Sequence, residues 1–270
     1  MLYSVGWLVL QGRVQEQPMY LVANSKGGLY LTAILTWVAA KLGYHVFLHH
    51  HTYRYIDYYD WRMALVDRAM TNDSFHIVHC DKMVAEFQQQ YASHRSFITL
   101  FPSAVSLDIG QPRTTPHTPF CLGHLSNLMP AKGVGLALDT FRRLHHSGCH
   151  VRLLLAGPFY TRSAQTIVEN AVAEFGDLVE YIGPVHGDAK RQFFSTIDAF
   201  LFPTRYPNES WGIVLNEALS SGVPVISYDR GCISTVIGSN AGVIVDRNAE
   251  FTRPAAQTIQ RWIEFTETYN

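Results

Sequence analysis

Two carboxylates, Glu209 and Glu217, stand eight positions apart in the stretch Glu209-Ser-Trp-Gly-Ile-Val-Leu-Asn-Glu217, which continues as Ala-Leu-Ser-Ser-Gly-Val-Pro-Val-Ile-Ser. The pattern predicts a helix starting near Ser210 and, after Gly222 and Pro224, a buried strand. A helix N-terminus presents unpaired backbone N–H groups and the positive end of the helix dipole, so it is a ready anion site. With that start, Glu217 lies about two turns inside the helix, and at ~1.5 Å per residue the two carboxylates are up to roughly 12 Å apart. Each could then address one end of a ligand whose phosphates sit between them, and a nucleotide-sugar has that layout. A carboxylate can accept two hydrogen bonds from a vicinal diol. In the plainer reading, Glu209 is a first-turn acid favoured by the dipole and Glu217 belongs to a solvated helix face. The apolar Leu215, Ala218 and Leu219 around Glu217 favour the ligand reading. The backbone N–H groups of Trp211, Gly212 and Ile213 are candidates for phosphate oxygen, with Gly212 allowing close approach.

Other segments carry chemistry of their own. Ser126-Asn127-Leu128-Met-Pro-Ala-Lys132-Gly133 offers a cation ahead of a helix, although lysine in such a place is often only an exposed surface residue. His49-His50-His51 ends a predicted strand. Side chains alternate between the faces of a strand, so three consecutive histidines cannot all meet one ion, and no metal is expected there. The plainer alternative for His51 is an exposed loop histidine. The loop Asn24-Ser-Lys-Gly-Gly28 precedes a helix but lacks the Walker pattern. G-x-G-x-x-G and Asp-x-Asp are both absent, which argues against a nicotinamide dehydrogenase and against a metal-bridged diphosphate.

The elements that would position these residues alternate. Strands are predicted at 19–23, 46–50, 75–79 and 97–100, with helices at 29–42, 58–70 and 81–91 between them. A proline-rich stretch, Pro102 to Pro119, reads as a linker. Beyond it, strands at 120–125, 151–156, 178–182, 199–203, 223–227 and 243–245 alternate with helices at 134–144, 163–175, 188–195 and 254–268. Apolar strands spaced by amphipathic helices imply parallel sheets covered on both faces. The reading is α/β: two Rossmann-like domains, 1–112 and 119–270, facing a cleft, with ligands beyond the carboxyl ends of the strands. At 270 residues, 47% hydrophobic and 16% charged, the chain can build ordinary cores, and a net charge of −1 disfavours a dominant nucleic-acid surface. Four cysteines without a C-x-x-C pair read as reduced thiols, and the start MLYSVGWLVLQGR lacks the basic region of a signal peptide.

Glu209–Glu217 with Gly-Val-Pro-Val (222–225), Leu-Ser-Asn-Leu-Met-Pro-Ala-Lys-Gly (125–133) and Asn-Ala-Gly-Val-Ile-Val (240–245) together resemble the retaining GT-B glycosyltransferases of the family-4 type, the group 1 glycosyl transferases. The likeness covers the second domain nearly whole and is weaker in the first. It implies that Glu209 is the sugar-side carboxylate and Glu217 the ribose clamp. By the same resemblance Lys132 grips the diphosphate and His51 reaches the donor sugar. Two departures stand out. Asn127 occupies the place of a family arginine, with Arg205 and Arg230 as candidate replacements. Gly231-Cys232-Ile233-Ser234-Thr235 replaces Gly-Gly-Ile-Pro-Glu, losing a carboxylate. Residues 19–51 look like the middle of the first domain, which therefore reads as truncated.

The resemblance implies a retaining transfer of a sugar from a nucleoside diphosphate sugar to a hydroxyl acceptor, glycan or lipid-linked glycan, with the nucleotide-sugar as substrate and no cofactor. Glu209, Lys132 and His51 are the expected catalytic residues. Asn127, Trp211, Gly212, Ile213 and Glu217 are the expected donor-binding ones. The alternative is a degenerate relative that binds nucleotide-sugar, or a partner subunit, without catalysis. A cytoplasmic location is expected, with peripheral membrane contact left open.

Overall fold

The computed structural model describes residues 17–102 and 116–269. The predicted linker falls largely outside these residues, as does the chain start. Two compact units emerge: Met1–Pro102 with Pro207–Trp211, and Ser103–Tyr206 with Gly212–Asn270.

The first unit holds a four-stranded parallel sheet in the order β1-β2-β3-β4, made of β1 (Pro18–Val22), β2 (His45–His49), β3 (Phe75–Val78) and β4 (Ser96–Thr99). Its helices are α1 (Gly28–Leu42), α2 (Arg54–Asp57), α3 (Trp61–Ala69) and α4 (Asp81–Tyr91). The helix expected over 58–70 is α3, and the short α2 ahead of it was not expected. Asp60 sits in extended backbone and its side chain accepts from the Arg62 backbone N–H, so α3 begins at Trp61 with Asp60 as its cap.

The second unit holds six parallel strands in the order β10-β9-β8-β5-β6-β7. They are β5 (Phe120–Leu125), β6 (Val151–Ala156), β7 (Val179–Tyr181), β8 (Ala199–Phe202), β9 (Val225–Tyr228) and β10 (Gly242–Val245). The helices are α5 (Val134–His146), α6 (Arg162–Phe175), α7 (Asp188–Thr196), α8 (Ile213–Ser220), α9 (Ile233–Ile237) and α10 (Thr252–Tyr269).

Strand alternation divides the core of the second unit in two. Leu122, Leu153, Leu155 and Leu201 pack with Phe141, Val168 and Ile259 of α5, α6 and α10. Their neighbours Cys121, Leu154, Phe200 and Phe202 pack with Phe193, Leu215 and Ile233 of α7, α8 and α9. Both faces are thus covered, which is why these strands read as continuous apolar runs. Strand order reverses between β5 and β8, so the loops leaving those two strands diverge at a switch point, where such sheets take ligands.

Cys121 and Cys149 are free thiols, as expected for them from the sequence. Among the described residues no helix is long and apolar enough to cross a membrane.

Candidate functional site

In the second unit, the loop after β5 carries Asn127 and Lys132 to the switch point. Pro130–Lys132 forms a 3-10 turn that ends at Gly133 with φ +89°. A Cβ on Gly133 would lie 2.3 Å from the Pro203 carbonyl oxygen, so the Lys-Gly pair is fitted against the end of β8 and only glycine suits the position. The Arg205 backbone N–H donates to the Ala131 carbonyl at 2.8 Å, tying the two loops together. Lys132 Nζ lies 4.8 Å from the Tyr206 ring centre and 5.8 Å from that of Phe202. The ammonium therefore rests on aromatic faces at the strand ends, a cation held where an anionic ligand can reach it.

Beneath this loop lies a residue that the sequence reading did not single out. His124, inside β5, is fully buried. Its Nδ1 donates to the Leu201 carbonyl at 2.9 Å, which leaves Nε2 to accept from the Ser126 hydroxyl at 3.0 Å. The ring thereby fixes Ser126, the residue before Asn127. Burial pushes the His124 pKa down to about 4, against the pull of the carbonyl bond, so the ring is neutral near pH 7. A buried histidine in an apolar strand was the available signal.

Helix α8 opens at Ile213, not near Ser210. Gly212 precedes it in left-handed backbone, φ +72°, and Leu215 N–H already bonds to the Gly212 carbonyl at 2.8 Å. The turn at Gly212 separates Glu209 from the helix, and Glu217 sits little more than one turn inside it instead of two. Glu217 Oε1 accepts from Lys190 Nζ at 2.9 Å, both side chains being about 30% exposed. Lys190, on α7, is a second residue the sequence reading missed, because the pairing depends on how α7 packs beside α8.

The two candidate replacement cations are both engaged. Arg205 stacks 4.6 Å from the Tyr228 ring centre and donates to its hydroxyl at 2.6 Å. Arg230 is buried and donates from Nε to the Tyr206 carbonyl at 2.7 Å, so it supports the same tyrosine on which Lys132 rests. Cys232 and Ile233, in the altered glycine segment, are buried at the start of α9.

In the first unit, the segment Pro207–Trp211, which carries Glu209, sits at the ends of β2 and β3. The Ser210 hydroxyl donates to the His51 carbonyl at 3.0 Å. Trp211 is buried, with its ring centre 6.3 Å from that of His79 and 6.0 Å from that of Phe101, and its indole N–H has no partner. Glu209 and His51 are thus brought to one end of this sheet, while Lys132, Gly212, Ile213 and Glu217 gather at the switch point of the other.

His50, between His49 and His51, points the opposite way into a buried polar chain. The Asp67 carboxylate accepts from His76 Nε2 at 2.9 Å, His76 Nδ1 meets His50 Nε2 at 2.8 Å, and His50 Nδ1 meets the Tyr55 hydroxyl at 2.9 Å. With Asp67 ionised the donors must run one way, from Tyr55 to His50 to His76 to Asp67. Burial raises the Asp67 pKa, but hydrogen bonds from His76 and Ser93 outweigh it and bring it below the usual carboxylate value. Burial also holds His50 and His76 below the ordinary imidazole pKa. The chain anchors the end of β2 that carries His51.

The family described as Glycosyl transferases group 1 matches residues 117–264, just over half of the chain. Over 134 residues the chain is 28% identical to the capsular polysaccharide biosynthesis glycosyltransferase CapM of Staphylococcus aureus, covering 47% of this chain and 33% of CapM. Among solved structures, the pneumococcal O-GlcNAc transferase GtfA, in complex with UDP and GlcNAc, matches with a TM-score of 0.71 at 18% identity, over 99% of this chain and 55% of that one. HepE of Anabaena, in complex with UDP, matches with a TM-score of 0.72 at 16% identity, over 97% of this chain and 72% of that one. The fold is that of GT-B proteins, and the chain spans between a third and about half the length of CapM and GtfA.

Proposed function

The chain belongs to the group 1 glycosyl transferases, and from that premise we propose that it moves a hexose-type sugar from a nucleoside diphosphate sugar to a hydroxyl acceptor with retention. The observation that carries the reading is Lys132, held on Tyr206 by the Gly133 turn at the switch point, with the N-terminus of α8 and, one turn inside that helix, Glu217. In that unit Lys132 and the N–H groups of Gly212 and Ile213 receive the diphosphate, Asn127 donates to it without charge, and Glu217 accepts from the ribose hydroxyls. By the same resemblance His51 and Glu209 serve the sugar.

In the step itself the bond from the sugar C1 to the phosphate oxygen breaks while a bond from C1 to the acceptor oxygen forms on the same face. The acceptor proton passes to the leaving phosphate. Lys132 and the backbone donors offset the charge that develops there, and fixed donors aimed at developing charge are worth roughly 3–4 kcal/mol each. The UDP in the GtfA and HepE complexes makes UDP the first nucleotide to test.

Lys132→Ala and Glu209→Ala are each expected to abolish transfer while leaving the circular dichroism spectrum and melting temperature unchanged. Turnover near the unsubstituted level in either would defeat the assignment. The second reading, a relative that binds nucleotide-sugar without turnover, is favoured by Asn127 in the place of arginine and by the Lys190 contact on Glu217. Calorimetric titration with UDP and GDP beside a donor-hydrolysis assay separates the two, since binding without hydrolysis or transfer supports the second.

A further inference from the structure

We infer that His49, His51 and His79 form a binding site for a divalent first-row transition ion of the zinc class at the carboxyl ends of β2 and β3. Strand alternation excludes three consecutive histidines as ligands, but it places His49 and His51 on one face. The register pairs His49 with Ile77 on the neighbouring strand, and this brings His79 beside them. Ring centres are 4.0 Å apart for His49 and His51, 5.2 Å for His49 and His79, and 5.5 Å for His51 and His79. One nitrogen from each lies within 4.8 Å of the others. A tetrahedral zinc with ~2.0–2.1 Å bonds brings its nitrogens to roughly 3.4 Å of one another. The remaining contraction, at most about 1.4 Å, is a matter of ring rotation, and His51 is the exposed member of the three.

The nitrogens are also dressed as ligands are. His49 Nδ1 bonds to the Tyr20 hydroxyl at 2.5 Å, while its Nε2 is buried with no partner. An unpartnered buried imidazole nitrogen is unfavourable unless something fills the place. His79 Nδ1 faces the Leu100 carbonyl at 3.4 Å, leaving Nε2 for the ion. A partner on the far nitrogen is what metal-bound histidines nearly always have. His50 is excluded, since both its nitrogens are engaged by Tyr55 and His76. Three neutral nitrogen donors suit zinc and its neighbours, not the oxygen-seeking magnesium or calcium, and three protein ligands leave a fourth position open.

The inference shares His51 with the transferase reading, in which that ring serves the sugar, and it is tested separately because its readout is the metal itself. The test uses the full chain without a polyhistidine tag, stripped with chelator and titrated with Co²⁺ and then Zn²⁺. One Co²⁺ per chain should bind with the visible absorption bands of a low-coordinate nitrogen site, and Zn²⁺ should displace it. His51→Gln, an exposed substitution that the fold should tolerate, is expected to weaken binding at least tenfold, and His49→Gln and His79→Gln likewise if circular dichroism shows them folded. Tyr20→Phe should weaken it by about tenfold, as loss of such supporting partners commonly does. His145→Gln, on α5, should leave it unchanged. Absence of the cobalt bands, or an affinity equal in His51→Gln and the unsubstituted protein, would overturn the site. An equal loss in His145→Gln would assign the binding to surface histidines and overturn it as well.

Discussion

At the residue scale, the contact between Lys190 and Glu217 is the least anticipated feature of the proposed donor site. An ion pair this exposed contributes only ~0.2–1 kcal/mol to stability, so its removal should barely move the melting temperature. Its effect on ligand is larger, because Lys190 occupies an oxygen that the ribose would use. Glu217→Gln loses a charged acceptor, and hydrogen bonds to charged groups are worth about 1.5–3 kcal/mol. UDP binding measured by calorimetry should therefore weaken roughly tenfold to a hundredfold. Lys190→Ala should leave UDP binding as tight or tighter, and a weakening equal to that of Glu217→Gln would make Lys190 part of the site. Glu209, Glu217, Lys132 and His51 could be proposed from the sequence because each sits in a short segment whose neighbours suggest its place. Lys190, His124 and the alternate histidines were not, since each depends on side-chain direction after packing.

Elements explain which boundaries were readable. β5 and β6 begin and end where their apolar runs do, because both faces are covered and all but His124 and Arg152 are apolar or glycine. The start of α8 was misread by three residues, since Ser210 is a good helix cap by type but the left-handed turn at Gly212 delays the helix to Ile213. The short α2 and α9 carry too few residues to show a period. The loop from Asn127 to Gly133 supports a sharper test. Gly133→Ala places a methyl group against the Pro203 carbonyl in a backbone conformation that itself costs about 1–3 kcal/mol for other residues. The melting temperature should fall by several degrees, at roughly 2–4 °C per kcal/mol for a domain of this size. UDP binding should fall with it because Lys132 is displaced, and retention of full affinity would show that the turn does not position the lysine.

For the whole molecule, the buried histidines set the response to acid. Above about pH 6.5 His124 is neutral in folded and unfolded chains alike, and the fold keeps its full stability. As pH falls toward 4, the unfolded chain takes up a proton that the folded one refuses, so stability is lost across that window. At about 1.4 kcal/mol per pKa unit, this one residue accounts for a loss on the order of 3 kcal/mol. His49, held down to about 4 by burial and by His51 and His79, acts with the same sign, as do His76 and His79. The urea midpoint should drop steadily between pH 6.5 and 5, and a flat profile would contradict the burial of these rings. Composition could count 13 histidines but could not tell which would be kept from protonating.

Trp211 gives the molecule an optical handle. Trp37 and Trp61 are more than half exposed, while Trp211 is 5% exposed and sits against His79 and Phe101. Iodide should quench the emission of the exposed pair, and the part of the blue-shifted, unquenched emission that is lost in Trp211→Phe belongs to this indole. The same ring that follows Glu209 by two positions then reports, in the unlabelled protein, on whatever arrives beside His79.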